Sequence, residues 1–269
     1  MYIMKKPQNK VQNTYTFISG ASSGIGAATA LELAQKNHRL ILTARRLDRL
    51  KKIQKQCIDL GAKDVLIYKL DVQKNADVVK LSLEFKKKKL QIKNLINNAG
   101  LAKGVELFQH SKASDSDEMF DTNVKGLLSI TREFLPSIIQ NRGHIINMGS
   151  VAGRLVYEGG TVYCATKFAV RAISDALRMD LKGTGVRVTN IEPGMVNTEF
   201  SVVRLGNQQK ADSVYSEMMP LTAMDIANTI LWCLAQPEHV NISELVIYPT
   251  DQASVGQVVR GEKSIKNLN

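Results

Sequence analysis

The chain has 269 residues, 44% of them hydrophobic, which is enough for a sizeable core. It shows no apolar run near the roughly 18 to 20 residues a membrane span needs, and its start, MYIMKKPQNKVQNT, lacks the apolar centre of a secretory signal. Cys57, Cys164 and Cys233 lie far apart with no CxxC and no nearby histidine pair, which argues against a metal site or a disulfide framework and for reduced, structural thiols. The 36 Lys+Arg against 25 Asp+Glu leave a net charge of +11, suited to an anionic ligand; no aromatic residues interleave with the charges of RLKKIQKQ or FKKKKL, so these read as solvated helix faces rather than a nucleic-acid surface.

In chain order, residues 1–13 read as a flexible N-terminal extension, and 14–269 as one domain with no linker or change of composition. Seven apolar runs, TYTFIS (14–19), RLILTA (39–44), VLIYKLDV (65–72), LINNAG (95–100), HIINMGS (144–150), VRVTNIEPG (186–194) and LVIYPT (245–250), are candidate strands. Helical patterns start between them near Ile25, Leu47, Asn75, Asp117, Val162 and Thr222, the last with a capping Thr222 and an acidic Asp225 in its first turn. Strands alternating with helices predict an α/β fold: a doubly wound, seven-stranded parallel sheet covered on both faces, of the Rossmann type. The polar stretch 195–221 reads as a mobile segment covering the cleft.

Where the first strand meets its helix, SGASSGIGAATALELAQ places Gly20, Gly24 and Gly26 in a G-x-x-x-G-x-G pattern. Glycine there lets a pyrophosphate approach the backbone, and the helix N-terminus offers free N–H groups; Ser22 and Ser23 add hydroxyl donors. After the second strand, where an NAD site would place a carboxylate for the ribose 2′-hydroxyl, stand Arg45 and Arg46, whose guanidinium forks suit a 2′-phosphate and favour NADP. In YCATK, Tyr163 and Lys167 lie four apart, so on a helix a phenol and an ammonium share one face. A free phenol ionises near pH 10, so acid/base work at neutral pH requires surroundings that change this value.

These stretches together resemble the short-chain dehydrogenase/reductase family over nearly the whole chain after residue 14: SGASSGIG (19–26), LDV (70–72), NNAG (97–100), Asn123 in DTNVKG, Ser150 in INMGS, Tyr163 and Lys167 in YCATK, and EPG (192–194). Ser19 stands where that family usually has Thr; a hydroxyl is kept, so little effect is expected. NNAGLAKG, YEGGTVYCATKFAVR and GMVNTEFSVVRLG look more narrowly like the branch of NADP-dependent 3-hydroxy acid dehydrogenases. That likeness implies a homotetramer, packed through the helices after Asp121 and Tyr163, that acts on serine, allo-threonine or malonic semialdehyde; a cytoplasmic location is the expectation from the missing span and signal.

The resemblance also implies a tetrad: Tyr163 as general acid/base, Lys167 holding ribose hydroxyls and supplying charge, Ser150 binding the substrate oxygen, and Asn123 positioning a water. It implies cofactor contacts from the glycine turn with Ile25, from Asp71 and Val72 on the adenine side, from Asn98, Ala99 and Gly100, and from Pro193, Gly194, Val196 and Thr198 at the nicotinamide end. Positive charge from Lys167 and an oxidised nicotinamide should lower the Tyr163 pKa toward neutrality. Taken singly, Ser150 reads as a helix cap, Asn123 as a polar helix residue and Asp71 as a strand-end turn. For a substrate carboxylate, Arg154 and Arg204 are the candidate partners, though Arg204 also reads as a solvated loop residue and Arg154 as a partner of Glu158. Two other readings stand beside this one: a reductase of a 3-oxoacyl thioester or hydrophobic ketone, and a nonenzymatic NADP-binding sensor.

Overall fold

A computed structural model describes residues 13–267, so the extension expected over 1–13 lies outside the described residues save for Asn13. The strands are β1 (Thr14–Ser19), β2 (Arg39–Ala44), β3 (Asp64–Lys69), β4 (Gln91–Asn97), β5 (His144–Met148), β6 (Arg187–Pro193), β7 (Val196–Asn197), β8 (Leu221–Thr222), β9 (Glu244–Ile247), β10 (Gln252–Ser254) and β11 (Gln257–Val258). Seven of them form one parallel sheet in the order β3-β2-β1-β4-β5-β6-β9. The remaining four make two small pairs, β7 with β8 and β10 with β11.

Side chains of a strand point alternately to opposite faces, and the sheet strands use that period to fill two cores. On one face Ile18, Leu40, Leu42, Ile96, Ile146 and Ile191 meet α1 (Gly24–Gln35), α2 (Leu47–Asp59) and, later in the chain, the helix Ala223–Ala235. On the other, Phe17, Ile41, Leu95, Ile145 and Val188 meet α3 (Asn75–Lys88) and two helices that follow α4 (Ala113–Phe120), namely α5 (Leu127–Gln140) and α6 (Thr161–Asp180). Each such aliphatic side chain taken fully out of water contributes about 1.5–3 kcal/mol, so near-continuous apolar strands are what a sheet covered twice requires.

One strand departs from the sequence expectation. The fourth strand begins at Gln91 and ends at Asn97, earlier than LINNAG implied; its polar Gln91 and Asn94 are satisfied by Ser137 and Thr16, which hides the strand from an apolar pattern. The segment 195–221 holds two short helices, α7 (Glu199–Leu205) and α8 (Gln208–Val214), capped by Thr198 and Asn207. The last helix, α9 (Ala223–Ala235), has the anticipated cap in full: Thr222 Oγ1 accepts from the Asp225 N–H, and the Asp225 carboxylate accepts from the Thr222 N–H. Among the described residues no helix is long and apolar enough to cross a membrane.

Strand order reverses between β1 and β4, whose carboxyl ends are therefore not bridged by a crossover helix; open α/β sheets bind ligands in that crevice.

Candidate active site

The crevice is a cavity of about 960 Å³ above the carboxyl ends of the strands, bordered by the glycine turn, the ends of β4, β5 and β6, and the covering helix α7. Gly20 and Gly24 have φ of +67° and +55°, which side chains disfavour. At Gly26 a Cβ would lie 2.5 Å from Asn98 Nδ2 and 2.6 Å from the Gly20 carbonyl, so the turn is closed against β4. Asn98 Nδ2 donates to the Ser19 and Gly20 carbonyls (3.0 and 3.1 Å), and Ser19 Oγ accepts from the Asn98 and Ala99 N–H groups (3.1 and 3.0 Å). The serine hydroxyl thus does the tying expected of it.

Ser23 begins α1 without capping it, and its hydroxyl instead accepts from Arg46 Nη2 at 2.9 Å, with Ser22 Oγ at 3.3 Å. The first N–H groups of α1 are therefore left without a side-chain cap, facing the cavity beside a guanidinium. Arg45 also lines the cavity and pairs with Glu118 at 3.8 Å. Ile25, Asp71, Val72, Asn98, Ala99 and Gly100 line the same wall. Asp71 accepts from the Gln73 N–H at 3.2 Å, making the strand-end turn that its position also allowed. Pro193, Gly194, Val196 and Thr198 line the opposite wall, and a Cβ on Gly24 would touch Thr198 at 3.5 Å across the gap.

Ser150, Tyr163 and Lys167 meet at the floor. Ser150 follows β5 and caps the short turn Val151–Gly153 by accepting from the Ala152 N–H (3.1 Å), which leaves its own hydroxyl proton directed at Tyr163. Lys167 is buried; its Nζ donates to the Met148 carbonyl (2.8 Å), and burial brings its pKa down to about 8. The Tyr163 phenol is shifted upward by the protein alone, before any charge from a nicotinamide. Burial pushes its pKa above the ordinary value and the neighbouring Tyr157 adds to this, while Ser150 and Arg204 pull the other way without overcoming it. Without a bound cofactor's charge, the protein keeps this phenol protonated.

Asn123 sits in a π-helical turn, Asp121–Gly126, between α4 and α5. Its side chain is fully used: Oδ1 accepts from the Leu101 N–H (2.9 Å), and Nδ2 donates to the Leu101 carbonyl (2.8 Å) and Thr166 Oγ1 (3.1 Å).

The two candidate carboxylate partners separate. Arg204, at the end of α7, is sandwiched between the rings of Tyr157 and Tyr163, its guanidinium carbon 5.4 and 5.6 Å from their centres. Its Nε donates to the Gly104 carbonyl (3.0 Å), and no carboxylate among the described residues pairs with it. Arg154 is a correction: it does not line the cavity, and its guanidinium is held by Glu192 and Glu244, not by Glu158. Glu192 is wholly buried and needs that cation, and Arg171 completes the group by donating to Glu244 at 3.0 Å. No sequence pattern linked residues 154, 192 and 244; pairing of β6 with β9 brings Glu192 and Glu244 to one sheet edge. Tyr157, missed from the sequence, is placed by the tight YEGG turn, where a Cβ on Gly160 would strike its ring at 2.6 Å.

The three cysteines are buried free thiols, Cys57 pushed up to about 12 and Cys233 to about 11 by burial. No group of metal-ligating side chains occurs among the described residues.

Comparison with known families matches residues 14–208 to the short chain dehydrogenase family. A curated NADP-dependent 3-hydroxy acid dehydrogenase of Schizosaccharomyces pombe is 42% identical over 246 residues, covering 90% of this chain and 95% of its own. A serine 3-dehydrogenase of Agrobacterium fabrum is 42% identical over 246 residues, with 90% and 97% covered. Among solved structures, the closed form of a serine dehydrogenase complexed with NADP+ superposes with a TM-score of 0.85 at 40% identity, covering 92% of this chain and all of that one.

Proposed function

The chain belongs to the short chain dehydrogenase family, and on that footing we propose how its residues carry an NADP-dependent oxidoreduction of small 3-hydroxy acids. It is an oxidoreductase acting on hydroxyl groups. The observation that carries the substrate class is Arg204 beside Tyr163: a guanidinium without a carboxylate partner stands 5.6 Å from the ring whose oxygen would handle the substrate hydroxyl. A short molecule with a carboxylate at one end and a hydroxyl nearby spans that pair.

The residues present fit a dinucleotide. The glycine turn admits a pyrophosphate to the uncapped start of α1, and Arg46 with Ser22 and Ser23 suits a 2′-phosphate. Gly20, Ile25, Arg45, Asp71, Val72, Asn98, Ala99 and Gly100 would hold its adenosine half and Pro193, Gly194, Val196 and Thr198 its other end. When bound, the nicotinamide accepts or supplies the hydride at the substrate carbon.

Tyr163 would remove the substrate hydroxyl proton in oxidation and return it in reduction. The Ser150 hydroxyl, beside Tyr163, would donate to the substrate oxygen and oppose charge growth there. Lys167, charged below about pH 8, would steady the phenolate. Asn123 would act through its main-chain carbonyl in the π turn, because its amide is spent on Leu101 and Thr166. Exposed Ile139 and Phe168, on α5 and α6, support assembly through these helices into a homotetramer.

The test is a substrate panel run with both NADPH and NADH. Turnover of serine or a 3-hydroxy acid with NADP is expected; turnover of acyl thioesters alone would overturn the substrate class and favour a 3-oxoacyl reductase.

A further inference from the structure

Glu199 opens α7 and takes no part in the chemistry above. Its carboxylate reaches across the cavity mouth to residues 153 and 150 positions earlier: Oε2 lies 3.1 Å from Arg46 Nη1, and both oxygens lie 2.5 and 2.8 Å from Arg49 Nη1. An acidic residue in the first turn of a helix is ordinarily explained by the helix dipole alone. Here the partners are on the opposite bank, and one of them is the arginine that also binds Ser22 and Ser23 at the glycine turn.

Arg46 has one fork to share. Its Nη2 serves the two serine hydroxyls, and its Nη1 serves Glu199, so a carboxylate already sits against the guanidinium that would meet a 2′-phosphate. A 2′-phosphate brought to the same guanidinium would lie close to the Glu199 carboxylate, and like charges brought close oppose each other. Among the described residues Arg49 bonds only Glu199, and it can keep that carboxylate when Arg46 lets go. Burial alone would raise the Glu199 carboxyl, but the bonds from Arg49 and Arg46 outweigh it and hold it below the usual range, so it stays ionised at neutral pH and competes as a charge.

We propose that Glu199 sets the cofactor's affinity from the covering helix: it competes with the 2′-phosphate for Arg46 and, through Arg49, holds α7 across the cleft. The competition acts on a phosphorylated dinucleotide and spares one with a free 2′-hydroxyl. Glu199 thereby lowers affinity for NADP(H) selectively, which favours release after turnover.

This rests on the NADP reading above, and the experiment separates the two. NADPH and NADH are titrated onto the full chain and onto Glu199→Gln by nucleotide fluorescence, at low and high salt. The expected result is that the unaltered protein prefers NADPH, and that Glu199→Gln binds NADPH tighter by about fivefold at low salt, the scale of partly exposed ion pairs, with NADH unchanged. Glu199→Ala should move the same way, and both gains should shrink at high salt. Weaker or unchanged NADPH binding in both variants, or an equal change for both nucleotides, would overturn the proposal while leaving the NADP reading intact. A preference of the unaltered protein for NADH would overturn both.

Discussion

The Lys167 ammonium lies 5.8 Å from the centre of the Tyr163 ring while donating to the Met148 carbonyl, so the charge that would steady a phenolate is moored to the last residue of β5. Tyr163→Phe keeps the ring and removes the proton carrier. Turnover should fall by roughly 10²–10⁴-fold with NADPH affinity retained, as measured by steady-state kinetics beside nucleotide titration. A loss below about tenfold would remove Tyr163 from the acid/base role.

Because burial raises the Tyr163 phenol, ionisation of that group should depend on the bound nucleotide. Ultraviolet difference titration of the protein against Tyr163→Phe should show no phenolate near neutrality without cofactor, and a phenolate appearing at lower pH with saturating NADP+. A neutral-range phenolate in the cofactor-free protein would contradict the burial argument.

Arg204 is held by Gly104 and by two tyrosine rings, so Lys cannot replace its planar contacts. Arg204→Ala should raise KM for a 3-hydroxy acid by roughly 10- to 100-fold, the scale of a charged hydrogen bond. Oxidation of an uncharged secondary alcohol should be much less affected. Equal losses on both substrates would mean that Arg204 supports the fold of α7 and does not bind a carboxylate.

His144 is buried with its pKa brought down to about 3, chiefly by loss of solvent and then by the charge of Arg187. Thr189 Oγ1 donates to the Ile242 carbonyl, so His144 Nε2 must be the donor in its 2.7 Å bond to Thr189, and Nδ1 is left without a partner. The unfolded chain protonates this ring below about 6.5, whereas the folded protein resists until about 3. Stability should therefore fall as pH drops through that window, by about 5 kcal/mol at full extent. Urea unfolding of the protein and of His144→Gln across that range checks it; parallel pH profiles would refute it.

Gly26→Ala would set a Cβ 2.6 Å from the Gly20 carbonyl. Overpacking of this kind costs roughly 1–3 kcal/mol, and the turn it displaces is the one offered to the pyrophosphate. A lower thermal midpoint and loss of NADPH binding are expected together; unaltered binding would show that the turn yields without consequence.

The sheet was legible because burial on both faces leaves little freedom in composition: TYTFIS and RLILTA coincide with β1 and β2 residue for residue. The start of β4 was hidden because QIKN satisfies its polar groups sideways. Around the cleft, local motifs marked the glycine turn, Ser150, Tyr163 and Lys167. Contacts between distant segments left no local pattern, so the Arg154–Glu192–Glu244 group, the seat of Tyr157 and the reach of Glu199 became visible only in three dimensions. The upward push of burial on Tyr163 was also illegible, because sequence spacing counts the charges nearby but not the water removed.

The π turn at Asp121–Gly126 amounts to one surplus residue within an otherwise continuous helical run from Ala113 to Gln140. An α-helix advances about 100° per residue, so deleting one residue here would heal the helix and swing one half around its axis by that angle relative to the other. Either Met119 would leave its cluster with Leu101 and Ala102 or Phe134 would leave the sheet. The insertion thus works as a phase shifter, letting one helical run present two differently oriented stripes, with Asn123 at the seam.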